Sequence, residues 1–348
     1  MTGRIVTFGE VMLRLKAPGF ERLLQSPHLE ATFGGGEANV AVSLAQFGHD
    51  VTYVTALPRN PIGEACISFL KGKNVDTSKI IMAGERMGIY YYEAGVNQKP
   101  SRVVYDRSHS AIMDVSPSTF EWDEIFEGAA WFHITGITPA LSASAADISL
   151  IAMKTAHKKG ITVSCDYNFR KNLWKYGKNA PDVMTELVAT ADVGIANEED
   201  CQKALGITIE FNGWANDIEI GHLDPDNYRR LCEKVLSAFP NLKYQAITLR
   251  ESHSADQNGW SACLHTGREF YVSSHYDVTH VVDRVGTGDA FTAGLIHGLI
   301  TGLPDKEALE FAVSASCLKH SIPGDMNFCS IEEVTQLMSG RGSGRIQR

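Results

Sequence analysis

Asp283-Arg284-Val285-Gly286-Thr287-Gly288-Asp289-Ala290-Phe291-Thr292-Ala293-Gly294 is the stretch from which the rest of this 348-residue chain can be read. Two glycines bracket a threonine, an aspartate follows at once, and small and apolar residues continue at helical spacing. Glycine lets the backbone turn tightly and lets another group come close. A helix starting here leaves unpaired N–H groups and a partial positive charge, which suits a phosphate. Asp289 stands where a carboxylate can take a proton from a hydroxyl brought to that phosphate. An anion cradle and a base so close together predict phosphoryl transfer to an alcohol, with Gly286, Thr287, Gly288 and Asp289 as the catalytic group. The plainer account of the same residues is a helix start capped by Asp289. The remainder of the chain decides between the two.

Outward from this helix the pattern alternates. Apolar runs predict strands at 130–134, 161–166, 193–196 and 244–249, with helices at 143–158, 181–190, 198–205 and 227–238 among them. A late hairpin is expected at 260–265 and 269–274, and helices at 289–300 and 306–320. The N-terminal part adds strand, turn and strand over 4–15, a helix within 33–47, a strand over 51–57 and a helix over 61–71. Such alternation implies an α/β fold, a mostly parallel sheet covered by helices on both faces. Ligands in such sheets sit at the carboxyl ends of the strands. The aromatic segments 87–94 and 102–106, joined by a turn-rich loop at 95–101, interrupt the alternation. They are assigned to a separate small sheet, a lid built from about 10–33 and 86–112. A single domain is expected over 1–338, with an exposed polar insertion near 207–225 and a flexible Gly/Ser/Arg-rich tail at 339–348.

Bulk properties narrow the function. A formal net charge of −9 argues against a nucleic-acid binder, which needs a basic footprint, but leaves room for a small acidic substrate held by local arginines. Seven cysteines without a Cys-x-x-Cys pair fit reduced thiols and a cytoplasmic location. The chain runs directly into Ile5-Val6-Thr7-Phe8 without a signal-like apolar region, and no apolar run reaches the length of a membrane span.

Four further stretches carry chemistry. Gly34-Gly35-Gly36-Glu37-Ala38-Asn39 lacks the spacing of a dinucleotide site. Its glycines admit a ligand against the backbone, and Asn39 offers both a donor and an acceptor. Asp166-Tyr167-Asn168-Phe169-Arg170 follows a strand, where the crevice of an open sheet is expected, and Arg170 presents a planar fork that matches a carboxylate. Asn197-Glu198-Glu199-Asp200 opens a helix, and a spacing of three brings Asn197 and Asp200 together. Thr248 and Arg250 end a strand, and Ser316, Lys319 and His320 precede Pro323-Gly324-Asp325; both groups are placed on the nucleotide side.

These stretches together resemble the ribokinase-like (PfkB) carbohydrate kinases over nearly the whole chain, from Ile5 to about Phe328. The stretch at 283–294 resembles their C-terminal signature, with Thr287 where alanine is usual and Arg284-Val285 where Thr-Thr is common. The stretch at 34–39 resembles their N-terminal signature. Within the family, Asn168 and Arg170 are similar to the Asn-x-Arg of the 2-keto-3-deoxygluconate kinases. The resemblance implies a sugar-acid site formed by Gly34, Gly35, Asn39, Tyr90, Tyr105, Arg107, Asn168, Arg170 and Asp289. Arg107 and Arg170 are expected to converge on the acid. It implies a nucleotide site formed by Asn197, Thr248, Arg250, Gly286, Gly288 and Lys319, with magnesium near Asp200 and, in some members, a monovalent cation near Asp283. The implied activity is ATP- and Mg²⁺-dependent phosphorylation of the C6 hydroxyl of 2-keto-3-deoxygluconate by a homodimer or higher homo-oligomer. Other substrates of the class remain open: fructose, ribose, a nucleoside or 2-keto-3-deoxygalactonate. So does a sugar-acid-binding regulator without turnover.

Overall fold

The computed structural model describes residues 3–197, 199–209 and 224–340. Glu198, most of the expected insertion at 207–225 and positions 341–348 of the expected tail lie outside the described residues. The strands in chain order are β1 (Arg4–Phe8), β2 (Met12–Lys16), β3 (Glu30–Gly34), β4 (Val51–Val54), β5 (Ala56–Leu57), β6 (Ile81–Met82), β7 (Ile89–Glu93) and β8 (Arg102–Asp106). They continue as β9 (Ala129–Thr135), β10 (Thr162–Asp166), β11 (Val193–Asn197), β12 (Tyr244–Ser252), β13 (Asn258–His265), β14 (Phe270–Val272) and β15 (Tyr276–Val278). The large sheet runs β14-β13-β12-β11-β10-β9-β1-β4, with β15 also pairing with β13. Its centre, β4 through β12, is parallel, and β13 turns antiparallel.

Side-chain alternation explains why both faces are covered. Successive residues of a strand point to opposite faces. Ile5 packs into one apolar cluster with Val40, Leu44 and Phe291, while Val6 packs into the other with Phe132, Ile148 and Met153. Helices Gly36–Gln46 and Thr287–Thr301 cover the first face, and Ala143–Lys158 and Ala180–Val188 the second.

The chain leaves β1 for β4 on one side and later returns to place β9 on the other. This reversal is the switch point at which open α/β sheets bind ligands. Helix Gly36–Gln46 starts beside it. The small sheet has the order β3-β2-β7-β8. β8 is exposed along its length, with Val104 at 46% and Tyr105 at 52%. Strand β15 and the short helices Ala111–Asp114, Trp122–Ile125 and Ile331–Met338 are not among the elements expected from the sequence, although the last opens with a capping box of Ser330 and Glu333. No helix among the described residues is long and apolar enough to cross a membrane.

Candidate active site

A cavity of about 590 Å³ opens at the carboxyl ends of the central strands, and Asp289 lies in its wall. Helix Thr287–Thr301 begins at Gly286, which has φ 81° and offers no side-chain cap. Its first amides are therefore left for a ligand, the situation that favours an anion. Glycine is required at 286 for a second reason: a Cβ there would stand 1.8 Å from the carbonyl oxygen of Asp325. Asp289 is three residues into the helix, and Asn39 Nδ2 donates to its Oδ2 at 2.7 Å. Burial pushes the Asp289 pKa up to about 6, against the pull of the Asn39 bond and of Arg170 and Lys319. A carboxylate ionised near neutrality yet willing to accept a proton suits a general base.

The wall carries further acids. Asp166, at the end of β10, and Asp200 both line the cavity. Burial raises the Asp166 pKa well above the usual carboxylate range, and Asp200 and Asp289 raise it further; Arg170 acts the other way. Two carboxylates make only a partial ligand set for a divalent cation, since no group of three or more His, Cys, Asp or Glu side chains suited to a metal occurs among the described residues. Asp200 also shapes the site. Its Oδ1 accepts from Phe169 N at 2.9 Å and its Oδ2 from Asn197 N at 3.1 Å, while Asn197 Oδ1 accepts from the amides of Glu199 and Asp200. Asp200 thus pins, through Phe169 N, the turn that carries Asn168 and Arg170, and Asn197 caps the turn that carries Asp200.

Most of the expected residues meet here. Gly35, Asn39, Tyr90, Tyr105, Asn168, Arg170, Asn197, Asp200, Thr248, Arg250, Gly286 and Gly288 all line the cavity. The Arg250 guanidinium lies 5.1 Å over the Trp260 ring.

Four expectations need correction. Arg107 and Arg170 do not converge. Arg107 is tied to Glu10, whose other oxygen accepts from Ser110 Oγ at 2.5 Å, and its guanidinium lies 5.3 Å over the Tyr105 ring, behind the cavity wall. Arg170 instead stands where its charge acts on Asp166, Asp200 and Asp289. Gly34 is not in the wall; it makes room for Asp325, whose Oδ2 would lie 2.1 Å from a Cβ at that position. Asp283 does not line the cavity and is already engaged: Arg14 Nη2 at 2.5 Å and Gly324 N at 3.1 Å donate to its Oδ2, and Val285 N at 3.1 Å to its Oδ1. Three of its four acceptor positions are thereby taken, which leaves little for a cation. Lys319 is wholly buried beneath the 283–288 loop rather than in the cavity.

Reading residues by motif missed three groups. Asp325 was placed with the nucleotide, yet both its oxygens accept from Tyr90 OH at 2.6 Å, on the small-sheet side. Arg14, from β2, is buried and bridges Asp283 and Asp325. Burial opposes its charge, but Asp325 and Asp283 outweigh burial and raise its pKa. Glu37 is buried beneath the first glycine run, and burial pushes its pKa up to about 7. An apolar-alternating strand carrying one arginine, as β2 does, was the only local signal for any of these.

A cradle of free amides, an adjacent base and an acidic wall on a parallel sheet define a phosphotransferase acting on an alcohol. The profile of the pfkB family carbohydrate kinases matches residues 2–243 and 254–332, and the chain belongs to that family. A solved 2-dehydro-3-deoxygluconokinase from Thermotoga maritima shares 44% identity, with a TM-score of 0.90 over 97% of this chain and 99% of that one. The 2-dehydro-3-deoxygalactonokinase of Haloferax volcanii is 30% identical over 99% of both chains. The 2-dehydro-3-deoxygluconokinase of Bacillus subtilis is 28% identical over 92% of this chain and 91% of its own.

Proposed function

We propose that this carbohydrate kinase transfers the γ-phosphoryl group of ATP to the C6 hydroxyl of 2-keto-3-deoxygluconate, the sugar acid also called 2-dehydro-3-deoxygluconate. The observation that carries this reading is Asp289, with a pKa raised to about 6, facing a cavity beside an uncapped helix N-terminus. The sugar lies against Gly35 and Asn39, walled by Tyr90 and Tyr105. Asp289 takes the C6 hydroxyl proton as the oxygen attacks the γ-phosphorus; a C6 O–P bond forms, the bond to the ADP oxygen breaks, and ADP leaves. The amides at 286–289 face the charge that spreads over the transferring group, where preorganised donors act most strongly. Asn197, Thr248 and Arg250 flank the nucleotide. Magnesium, when bound, neutralises the ATP phosphates, and Asp166 and Asp200 are the residues that would hold it or its waters. Arg170 meets an anion in the cavity, and Arg107 stiffens the Tyr105 wall.

A panel assay tests the reading: ATP consumption with the gluconate-derived keto-deoxy acid, its galactonate-derived epimer, fructose and ribose. The epimer is the second reading, because one relative acts by name on that sugar. Phosphorylation of fructose or ribose at equal efficiency would remove the sugar-acid assignment. Arg170→Ala refines it: a KM increase of roughly tenfold or more confined to acidic sugars supports a carboxylate contact. A uniform fall in kcat for acidic and neutral sugars alike removes that contact. The exposed edge β8 would pair with a second copy in a homodimer, and sedimentation of the purified protein reads the mass directly.

A further inference from the structure

The loop at 281–288, which carries the anion cradle, rests on the loop at 319–325. Val282 N and Asp283 N both donate to His320 O, at 2.8 and 3.2 Å. At this seam lies Lys319, the last residue of helix Asp305–Lys319, with no exposed surface. Its Nζ donates to Ile322 O at 3.1 Å and to Asp283 O at 3.4 Å, one carbonyl from each loop. Among the described residues it forms no ion pair with a carboxylate. An ammonium held only by main-chain carbonyls has the surroundings that a partly dehydrated alkali cation takes, where carbonyl oxygens replace water. Burial lowers its pKa, while Asp283, Asp325 and Asp289 act to keep the proton on. The Asp283 carboxylate already accepts from Arg14, Val285 N and Gly324 N, which leaves a cation arriving there at most one of its four acceptor positions.

We propose that Lys319 is a built-in replacement for a monovalent cation: its charge fixes the two loops and holds the amides at 286–289 in place, so that turnover needs no potassium. The proposal rests on reading 286–289 as the phosphoryl cradle, and Lys319 acts as a positioning residue, through that loop. Arg14 adds a second fixed positive charge on the far side of Asp283.

The test compares the wild-type enzyme and Lys319→Gln in tetramethylammonium buffer, with and without added potassium or ammonium at equal ionic strength. Gln keeps a donor for the carbonyls and removes the charge. The expected result is a wild-type kcat that changes less than about twofold with potassium, and a Lys319→Gln kcat lower by roughly 10- to 100-fold, on the order of 1.4 to 2.7 kcal/mol. The KM for the sugar should move less than kcat, and potassium or ammonium should restore much of the loss. Thermal unfolding gives a readout independent of turnover: the variant's midpoint should rise selectively in potassium, and the wild-type midpoint should not. Potassium activation of the wild type overturns the proposal without any variant. So does a Lys319→Gln enzyme with full kcat in potassium-free buffer, or one that neither regains activity nor gains stability with any small cation. A wild type inactive on every sugar in every salt would instead defeat the kinase reading, while the unfolding comparison would still report on the lysine.

Discussion

Two helices open glycine-led N-termini toward the same end of the sheet, and each carries an acid in its first turn. In helix Gly36–Gln46 the acid is Glu37; in helix Thr287–Thr301 it is Asp289. Neither helix has a side-chain N-cap. Glu37 Oε1 accepts from Thr135 N, Thr135 Oγ1 and Thr138 Oγ1 at 2.8–2.9 Å, and it is absent from the cavity wall. Among the described residues Asp289 accepts a single side-chain donor, Asn39 Nδ2, and it lines the cavity. Three donors make Glu37 a clamp between the first helix and the end of β9. One donor leaves Asp289 with lone pairs for a substrate proton. The position of an acid at a helix start therefore says little about its role; the number of donors already committed to it says more.

The sharpest way to break this comparison is to exchange each acid for its amide. Asp289→Asn keeps shape and removes the base, and should lower kcat by about 10³-fold or more. Titration calorimetry should still show ATP and sugar binding. Glu37→Gln should leave kcat within a few-fold. A loss for Glu37→Gln as deep as for Asp289→Asn would mean that the clamp and the base cannot be told apart by donor count.

Next in size is the cradle. Gly286→Ala puts a side chain at φ 81° and 1.8 Å from Asp325 O, so the loop must shift or the helix start must unwind. The expected cost is roughly 1–3 kcal/mol of stability, from strain of this kind, together with a fall in kcat. A variant with unchanged melting and turnover would show that the left-handed turn is dispensable for phosphoryl placement.

A smaller effect sharpens the assignment of the base. Below its pKa of about 6 Asp289 carries a proton and cannot accept another, so kcat/KM should fall tenfold per pH unit below that point. Asn39 lowers that pKa, so Asn39→Ala should move the acidic limb to higher pH. A limb that stays fixed in Asn39→Ala would assign the titration to another group.

How much of this was legible beforehand follows from what each feature depends on. The parallel sheet was readable because buried strands and amphipathic helices leave local periodic marks, as at Ile5–Phe8 and 61–71. Asp289, Asn39 and Arg170 were readable because a glycine turn or strand end marks each. Arg14, Glu37 and Asp325 were not, because their roles come from partners 98 to 311 residues away in sequence. Arg107 was misread for the same reason: its partner Glu10 lies 97 residues away, and no local pattern shows that the guanidinium is already engaged.

The smallest effect isolates Glu37 as a structural group. Its folded pKa, about 7, lies above its ordinary value of 4.5. The folded protein therefore holds this proton more tightly than the unfolded chain does. The stability it confers is complete below pH 4.5 and is lost progressively as pH rises through 7, after which it is constant. The span is on the order of 3 kcal/mol for a shift of this size. Gln cannot ionise, so Glu37→Gln should not show this loss. Urea unfolding at pH 5 and pH 8 measures the difference: the wild type should lose more stability between the two than the variant does, while kcat of the two enzymes stays comparable at both. Parallel stability curves would mean that the three threonine donors hold Glu37 ionised in the folded state, and the contrast with Asp289 would then rest on exposure to the cavity alone.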